Sequence, residues 1–479
     1  MPHLTWVVYG KLLTEQHSIM TLSSTLKRDG VEVSLIYTNS VKDVYRRLRV
    51  LKPDVVAYSL MFGSHRRYIP VSHGIRREFP DIVQVAGGPY TTYFPESIDE
   101  LSLDAICIGD GDITLPRYLR SRFGGEGGEG GGVDGFHIRD NGCIKKTPVG
   151  NLLNDMDSLP FPDRELFYSQ DTLLRNQEFK SFLSGRGCPY LCNYCFNHKF
   201  NEMHKGKGNI IRKKSVDYFI EEIDEVKKRY GLQYIIFEDD VLTIKKDWFQ
   251  EFAEKFKKKI NVPYICYIRP NLVSTDVVTL LKASGCHIVR MAIETGNEDV
   301  RTRVLNRSMS NEQIIKAADI IHAAGLKLSV SNMIGLPTET LTNTYETIDL
   351  NIRCRAEHPS AQFFMPYPGM ELTKIAVRTG YFDPSRLSEL EKNTWKTSPL
   401  NFDADTKKKM EKIQKVFALI VRVPAIKKYL PVIYRMPSVL LYYLSMLVKI
   451  YIVVDYLPPV KVSIAQRTRV LFRFFSFYG

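Results

Sequence analysis

The sequence predicts an α/β protein: an N-terminal Rossmann-like, doubly wound parallel sheet, a second α/β domain, and a helical C-terminal region. Three observations predict it. Residues 3–120 and 181–385 both alternate short apolar runs with amphipathic helical patterns, which implies parallel strands joined by crossover helices. Between them, "GGEGGEGGG" at 124–132 has the composition of a flexible loop. From residue 386 onward the alternation stops, and apolar, basic helical patterns replace it.

The elements follow in order. "LTWVVYG" is a strand, "IMTLSSTLKRDG" a helix closing on Gly30, and "VEVSLIY" the next strand. "KPDVVAYSL", "DIVQVAGGPY" and "LDAICIGDGD" supply further strands, with "YIPVSHGIRREFP" and "ITLPRYLR" as helices. This first domain is assigned to residues 1–123. Doubly wound sheets bind ligands at the carboxyl ends of their strands. Here those ends carry "YSLMFG", "AGGPY" and "GDGD", which are small, polar or flexible. Residues 124–180 hold the Gly-rich insert, the hairpin "GFHIRDNGCIKK" and the proline-punctuated linker "SLPFPDRELF". Over 181–385 the strands are "FKSFLSG", "QYIIFEDD", "YICYIRP", "IVRMAIETG", "LKLSVSNMIGLP" and "AQFFMPYPG". Residues 386–479 form the last region.

At 479 residues the chain is long enough for two or three domains with their own cores. The net charge is +13, but fourteen Lys and Arg face only four Asp and Glu after residue 400, so ten of those charges belong to the tail. The body is nearly neutral, and no nucleic acid is expected as a partner. The longest charge-free run of the tail, Met436 to Val448, is too short to span a bilayer. Its helices are expected to cap the second domain, the alternative being an interface with an anionic membrane. The chain has eight cysteines, and its first residues lack the basic start and apolar run of an export signal. A reducing, cytoplasmic setting is expected, with peripheral association at the inner membrane face as its variant.

Three of those cysteines lie in "SGRGCPYLCNYCFNHKF", residues 184–200, as Cys188-x3-Cys192-x2-Cys195 with Tyr194 before the last. An odd number argues against disulfides. A structural zinc site needs four ligands, usually as two separated pairs, and His198 could supply the fourth. The role of small buried hydrophobe suits the scattered Cys266, Cys286 and Cys354. It does not suit a triplet among Gly, Pro and Asn. A loop that wraps thiolates around an iron–sulfur cluster does, with three irons of a [4Fe–4S] cube held and the fourth left open.

That spacing resembles the radical S-adenosylmethionine (radical SAM) superfamily, and the ordered motifs carry the resemblance over residues 1–385. It implies a partial (β/α)6 TIM-type barrel over 181–385, with its chemistry at the strand C-termini. It also implies that Cys188, Cys192 and Cys195 hold the cluster. The open iron would bind S-adenosylmethionine, whose cleavage gives a 5′-deoxyadenosyl radical. By the same resemblance Tyr194 lies near the adenine. Glu238, Asp239 and Asp240 meet the methionine ammonium. Glu294 contacts the ribose or methionine part, and Gly335 and Pro337 of "IGLPTET", followed by Glu339, lie beside the adenine. Helix capping is the plainer role for each of these acids. Arg269 ends the third barrel strand, and Tyr367 and Pro368 follow the sixth.

The first domain resembles the cobalamin-binding domains that precede many radical SAM cores. Ser59, Gly87, Gly88, Gly109 and Gly111 are the implied cobalamin-binding residues. One departure stands out. The Asp-x-His-x-x-Gly that supplies a cobalt-ligating histidine is absent, since "TEQHSIM" around His17 has neither its aspartate nor its glycine. The nearest branch then resembles anaerobic magnesium-protoporphyrin IX monomethyl ester cyclase, with the alternative of a cofactor-free domain that only shapes the site.

The reading that follows is a radical SAM enzyme, a cobalamin-dependent methyltransferase acting on an unactivated carbon of a small or lipidic metabolite. Radical cyclisation, rearrangement or dehydration with a vestigial cobalamin domain is the alternative. An external electron donor such as flavodoxin or ferredoxin is implied. Methylthiotransferases share the cluster loop but carry three N-terminal cysteines, where residues 1–180 here hold only Cys107 and Cys143. A non-catalytic scaffold fits the intact triplet poorly.

Overall fold

The computed structural model describes residues 2–11, 14–124, 132–386 and 397–451. Most of the Gly-rich insert and the aromatic C-terminal end lie outside them. The chain forms two compact units. One runs to Gln177 and takes in Phe200–Ser215, while the other holds Glu178–Lys199 and continues from Val216.

The first unit is built on a seven-stranded sheet ordered β2-β1-β3-β4-β5-β6-β7. β1 (His3–Tyr9), β2 (Glu32–Thr38), β3 (Val55–Ser59), β4 (Val83–Gly87) and β5 (Ala105–Cys107) are parallel. Their near-continuous apolar runs are what burial on both faces demands, and Val55, Val56, Ala57 and Tyr58 of β3 are all buried. The parallel order 2-1-3-4-5 reverses direction between β1 and β3, so the ligand crevice of this topology opens at their carboxyl ends.

β6 (Phe136–Asp140) joins the same sheet antiparallel to β5, and β7 (Cys143–Lys146) pairs antiparallel with β6. The sequence reading set this hairpin apart in residues 124–180. The reason for the difference is that an isolated two-stranded hairpin is marginal, and an uncovered β5 would leave an edge unpaired. The proline-rich "linker" is docked here as well. Arg164 Nη1 and the Tyr168 hydroxyl both donate to Glu15 Oε1, at 2.9 and 2.6 Å, and Ser23 Oγ donates to Asp163 at 2.7 Å.

The second unit holds six parallel strands in consecutive order. β8 (Phe179–Phe182) leads into the short β9 (Gly185–Arg186), while β10 (Arg212–Lys213) falls in the segment of the first unit. β11 (Tyr234–Phe237), β12 (Tyr264–Ile268), β13 (Cys286–Glu294), β14 (Lys327–Ile334) and β15 (His358–Phe363) then follow β8 across the sheet. That is the pattern of a partial (β/α)6 barrel. Phe219, Phe252 and Phe256 of the flanking helices interlock with Phe237 and Tyr264 of the strands, edge-to-face or tilted.

The C-terminal helix Ala404–Arg422 belongs to this unit. It buries Met410, Ile413, Phe417 and Ile420 in the same core, and Gln414 Nε2 reaches the Ala361 carbonyl of β15 at 3.4 Å. The last described helix, Ser438–Ile450, follows a segment tied to it through Lys412, whose ammonium donates to the Tyr434 and Met436 carbonyls at 2.7 and 2.8 Å. Among the described residues no helix is long and apolar enough to cross a membrane.

Candidate active site

The cysteine loop follows β8 at the carboxyl end of the second sheet. Ser184 N and Oγ donate to Asp239 at the end of β11, which fixes where the loop starts. Its far side is pinned by the segment after β13. Asn193 N and Nδ2 donate to the Leu305 and Val304 carbonyls at 3.0 and 2.9 Å, and Asn306 Nδ2 donates to the Leu191 carbonyl at 2.7 Å. The fully buried Arg301 holds that segment in turn, donating to the Thr295 carbonyl through Nε and Nη2 and to the Met309 carbonyl through Nη1.

The three thiols are half-buried or buried. Burial pushes the Cys195 thiol up to about 12 and raises Cys188 as well, with Asp240 adding to both.

Two arginines converge on Cys192. Arg269 Nη1, at the end of β12, lies 3.4 Å from its sulfur, and Arg307 Nη1 lies 3.8 Å from it. Arg269 also stacks on the Tyr190 ring at 3.8 Å, while Arg307 Nη2 donates to the Ala292 carbonyl at 2.6 Å. Both guanidiniums are buried, and the Nε of each has no hydrogen-bond partner among the described residues. Burial alone would lower Arg307, but Tyr194, Glu294 and Cys192 hold it above its ordinary value. Two buried cations with spare donors beside one thiol make a site for concentrated negative charge.

Tyr194 extends this cluster. Its hydroxyl donates to Glu294 Oε1 at 2.7 Å. Burial pushes the Glu294 carboxyl above the usual range, against the pull of Arg307, the Tyr194 hydroxyl and Arg269. β13 shifts register against β14 between Ala292 and Glu294, and Glu294 has φ +71°. A bulge of this kind re-aims one side chain, here the carboxylate. The Tyr194 ring packs into an apolar cluster with Leu336, Phe364 and Met365, so the ends of β13, β14 and β15 meet around it. Gly335 stands at φ +68°, and a Cβ there would press on Ser398 Oγ at 3.1 Å and Phe363 at 3.2 Å. Pro337 is buried in the turn that follows.

The carboxylates sort by environment. Glu238 and Asp240 stand exposed at the strand end, and Asp240 accepts from Asn197 Nδ2 at 3.1 Å. Asp239 is buried and engaged by Ser184, which is a structural task. Glu339 caps its own turn, accepting from Leu336 N at 2.8 Å and Thr344 Oγ1 at 3.1 Å.

In the first unit Ser59 ends β3 at the crevice between β1 and β3, with Gly87 of β4 directly opposite in register. Among the described residues the Ser59 hydroxyl has only a long 3.4 Å contact to Ser18 Oγ, and a Cβ on Gly87 would meet only Cys107 Cβ, at 3.5 Å. These two leave room. Gly88 does not, because at φ +96° a Cβ would stand 2.8 Å from the Leu60 carbonyl. Gly109 lies under the His204 imidazole, where a Cβ would come within 2.7 Å of Nε2, and the neighbouring Asp110 is salt-bridged to Arg212 at 2.6 Å. Gly111 begins the helix Gly111–Phe123 and faces Leu22.

Residues 182–350 match the family model of the radical SAM superfamily, and residues 8–119 match that of the B12 binding domain. The chain carries a radical SAM domain. It carries a B12-binding domain ahead of its radical SAM core. It is similar to an uncharacterised methyltransferase of Pyrococcus horikoshii, 23% identical over 380 residues and covering 78% of either chain. It is also similar to the anaerobic magnesium-protoporphyrin IX monomethyl ester cyclase of Rubrivivax gelatinosus, 23% identical over 350 residues, 70% of this chain and 61% of that one. Among solved structures, the radical S-adenosylmethionine methyltransferase TsrM from Kitasatospora setae, with cobalamin and a [4Fe–4S] cluster bound, gives a TM-score of 0.65 at 15% identity over 80% of each chain. That likeness is one of fold.

The residues of the radical SAM core fit a cluster. Cys188, Cys192 and Cys195 stand on one short loop, and a cube offers a separate iron to each thiol. The arginines at Cys192 match the negative charge such a cluster would bring. The B12-binding domain fits its cofactor at Ser59 and Gly87 and less well at Gly88 and Gly109, which the protein uses itself. Arg307, His204 and Arg212 escaped the sequence reading, since none sits in a motif and each acts on a residue far along the chain.

Proposed function

We propose that this radical SAM protein is a cobalamin-dependent methyltransferase acting on an unactivated carbon of a small or lipidic metabolite. The observation that supports this most is the pairing of a cluster-ready cysteine loop with a B12-binding domain whose crevice keeps an open Ser59–Gly87 edge. When bound, the cluster supplies the electron that cleaves S-adenosylmethionine and cobalamin supplies the methyl group. The chain's own residues do the positioning. Cys188, Cys192 and Cys195 hold the irons, Arg269 and Arg307 steady the charge at Cys192, and Tyr194 with Glu294 orders the floor beside them. Glu238 and Asp240 offer carboxylates to an ammonium at the sheet mouth. Flavodoxin or ferredoxin would supply electrons, and the basic, apolar C-terminal helices would bring the protein to a membrane that holds a lipidic substrate.

A second reading, radical cyclisation or rearrangement with a vestigial cobalamin domain, is favoured by the His204 ring over Gly109 and the absence of a His17 motif. One experiment separates them. Protein reconstituted anaerobically with iron, sulfide and hydroxocobalamin is incubated with reductant, S-adenosylmethionine and candidate acceptors. Methyl transfer yields S-adenosylhomocysteine together with 5′-deoxyadenosine. Formation of 5′-deoxyadenosine alone, unchanged when cobalamin is omitted, rejects the methyltransferase reading.

A further inference from the structure

Among the described residues, nine of the thirteen large hydrophobic side chains that stand exposed lie between Val423 and Tyr451. On the helix Ser438–Ile450 they form a stripe. Val439, Leu440, Tyr443 and Leu447 are 66, 53, 61 and 66% exposed. Positions 440, 443 and 447 fall on one face at helical spacing. The other side of the helix is spent on the core, where Leu441 is buried and Leu444 packs against it. A helix on a protein surface ordinarily turns its polar face outward. This one turns out an apolar face.

The charge around the stripe says what could cover it. From residue 412 to 454 the chain has seven Lys and Arg and no Asp or Glu. Some of these are used inside the unit: Lys412 holds two carbonyls, and Lys427 pairs with Asp349. Lys428 and Arg435 stand exposed, Lys428 with its ammonium 5.0 Å from the Tyr429 ring. Tyr429, Tyr442 and Tyr443 add amphipathic rings that suit a boundary between water and hydrocarbon. At thirteen residues the helix is about 20 Å long, short of the roughly 30 Å hydrocarbon core it would need to cross. It can lie in an interface and not span one.

We propose that the helix Ser438–Ile450, with Val432 beside it, docks flat on an anionic lipid leaflet through Val439, Leu440, Tyr443 and Leu447. Lys428 and Arg435 would meet the headgroups. This deepens the membrane part of the proposed function and stands apart from its chemistry.

The test is flotation of the full chain, without cofactors, on vesicles of phosphatidylcholine alone and with phosphatidylglycerol. The variants are Leu440→Glu with Leu447→Glu, and Lys428→Glu with Arg435→Glu. All four side chains are exposed, so the fold should survive, as a melting curve checks. The wild type should float with anionic vesicles at least tenfold better than with neutral ones, less so at high salt, and both double variants should lose that binding. Equal behaviour toward the two vesicle types, or unchanged flotation of the Leu440/Leu447 variant, overturns the proposal. So does a wild-type dimer that this variant dissolves, since the face would then belong to a second copy. Release of 5′-deoxyadenosine in vesicle-free buffer should be unchanged in both variants, which keeps failure of docking distinct from failure of the radical chemistry.

Discussion

The Tyr194 hydroxyl donates to Glu294 Oε1 at 2.7 Å, tying the cysteine loop to the end of β13 across a hundred residues of chain. Glu294 is buried and Tyr194 half-buried, so losing the hydroxyl withdraws a hydrogen bond from a buried carboxyl. Tyr194→Phe strands a buried carboxyl and should cost about 1–3 kcal/mol of unfolding free energy. In a Glu294→Gln background the same change should cost clearly less, because the group left behind is neutral. Denaturant melts of the four proteins of this cycle measure the difference.

Arg269 and Arg307 put two cations within 4 Å of the Cys192 sulfur, at 3.4 and 3.8 Å. Positive charge and donors at one thiolate favour the more negative, reduced state of a cluster. Arg307→Gln or Arg269→Gln should therefore lower the reduction potential. At a fixed reductant, the reduced fraction read by electron paramagnetic resonance should fall several-fold while iron content is retained. An unchanged fraction would reduce these arginines to packing residues.

How much of this was legible in the sequence depends on how far apart the partners lie. The β3 strand was visible because "VVAYS" is apolar on both faces, as a central parallel strand must be. The cysteine triplet was visible because its three cysteines share eight residues. Asp239 reads as a ligand-facing carboxylate, and the fold adds that it accepts from Ser184, 55 positions away. Arg307 acts on a cysteine 115 positions away, and nothing near it in "RVLNRSMS" marks it. Gly88 and Gly109 read as room for a cofactor, but glycine is equally demanded by close approach of the protein's own backbone or ring. Such choices are made by tertiary contacts, which have no period.

Glu339 gives stability a pH dependence. Burial pushes its carboxyl up to about 7 from an ordinary 4.5, against its bonds to the Leu336 amide and the Thr344 hydroxyl. The folded state therefore binds this proton more tightly than the unfolded chain. Its contribution is complete below about pH 4.5, declines as pH rises toward 7, and is gone above it. The total is on the order of 3 kcal/mol. Glu339→Gln should remove that slope, so the gap between variant and wild type should widen in the variant's favour between pH 5 and pH 7.5. A gap that stays constant across this range would mean the buried carboxyl ionises normally.

Gly87 and Gly88 are neighbours with opposite expectations. A Cβ on Gly87 would meet only Cys107 Cβ, at an ordinary 3.5 Å, and β-branched residues suit strand positions. Gly87→Val should therefore fold with an unchanged melting temperature while filling the crevice beside Ser59. Gly88 stands at φ +96°, and a Cβ would lie 2.8 Å from the Leu60 carbonyl. Gly88→Ala should cost on the order of 1–3 kcal/mol whatever the domain binds. Hydroxocobalamin binding by equilibrium dialysis tells the two roles apart. Gly87→Val should weaken binding at least tenfold in a protein as stable as the wild type. If it binds cobalamin as the wild type does, the cofactor does not use the β3–β4 edge.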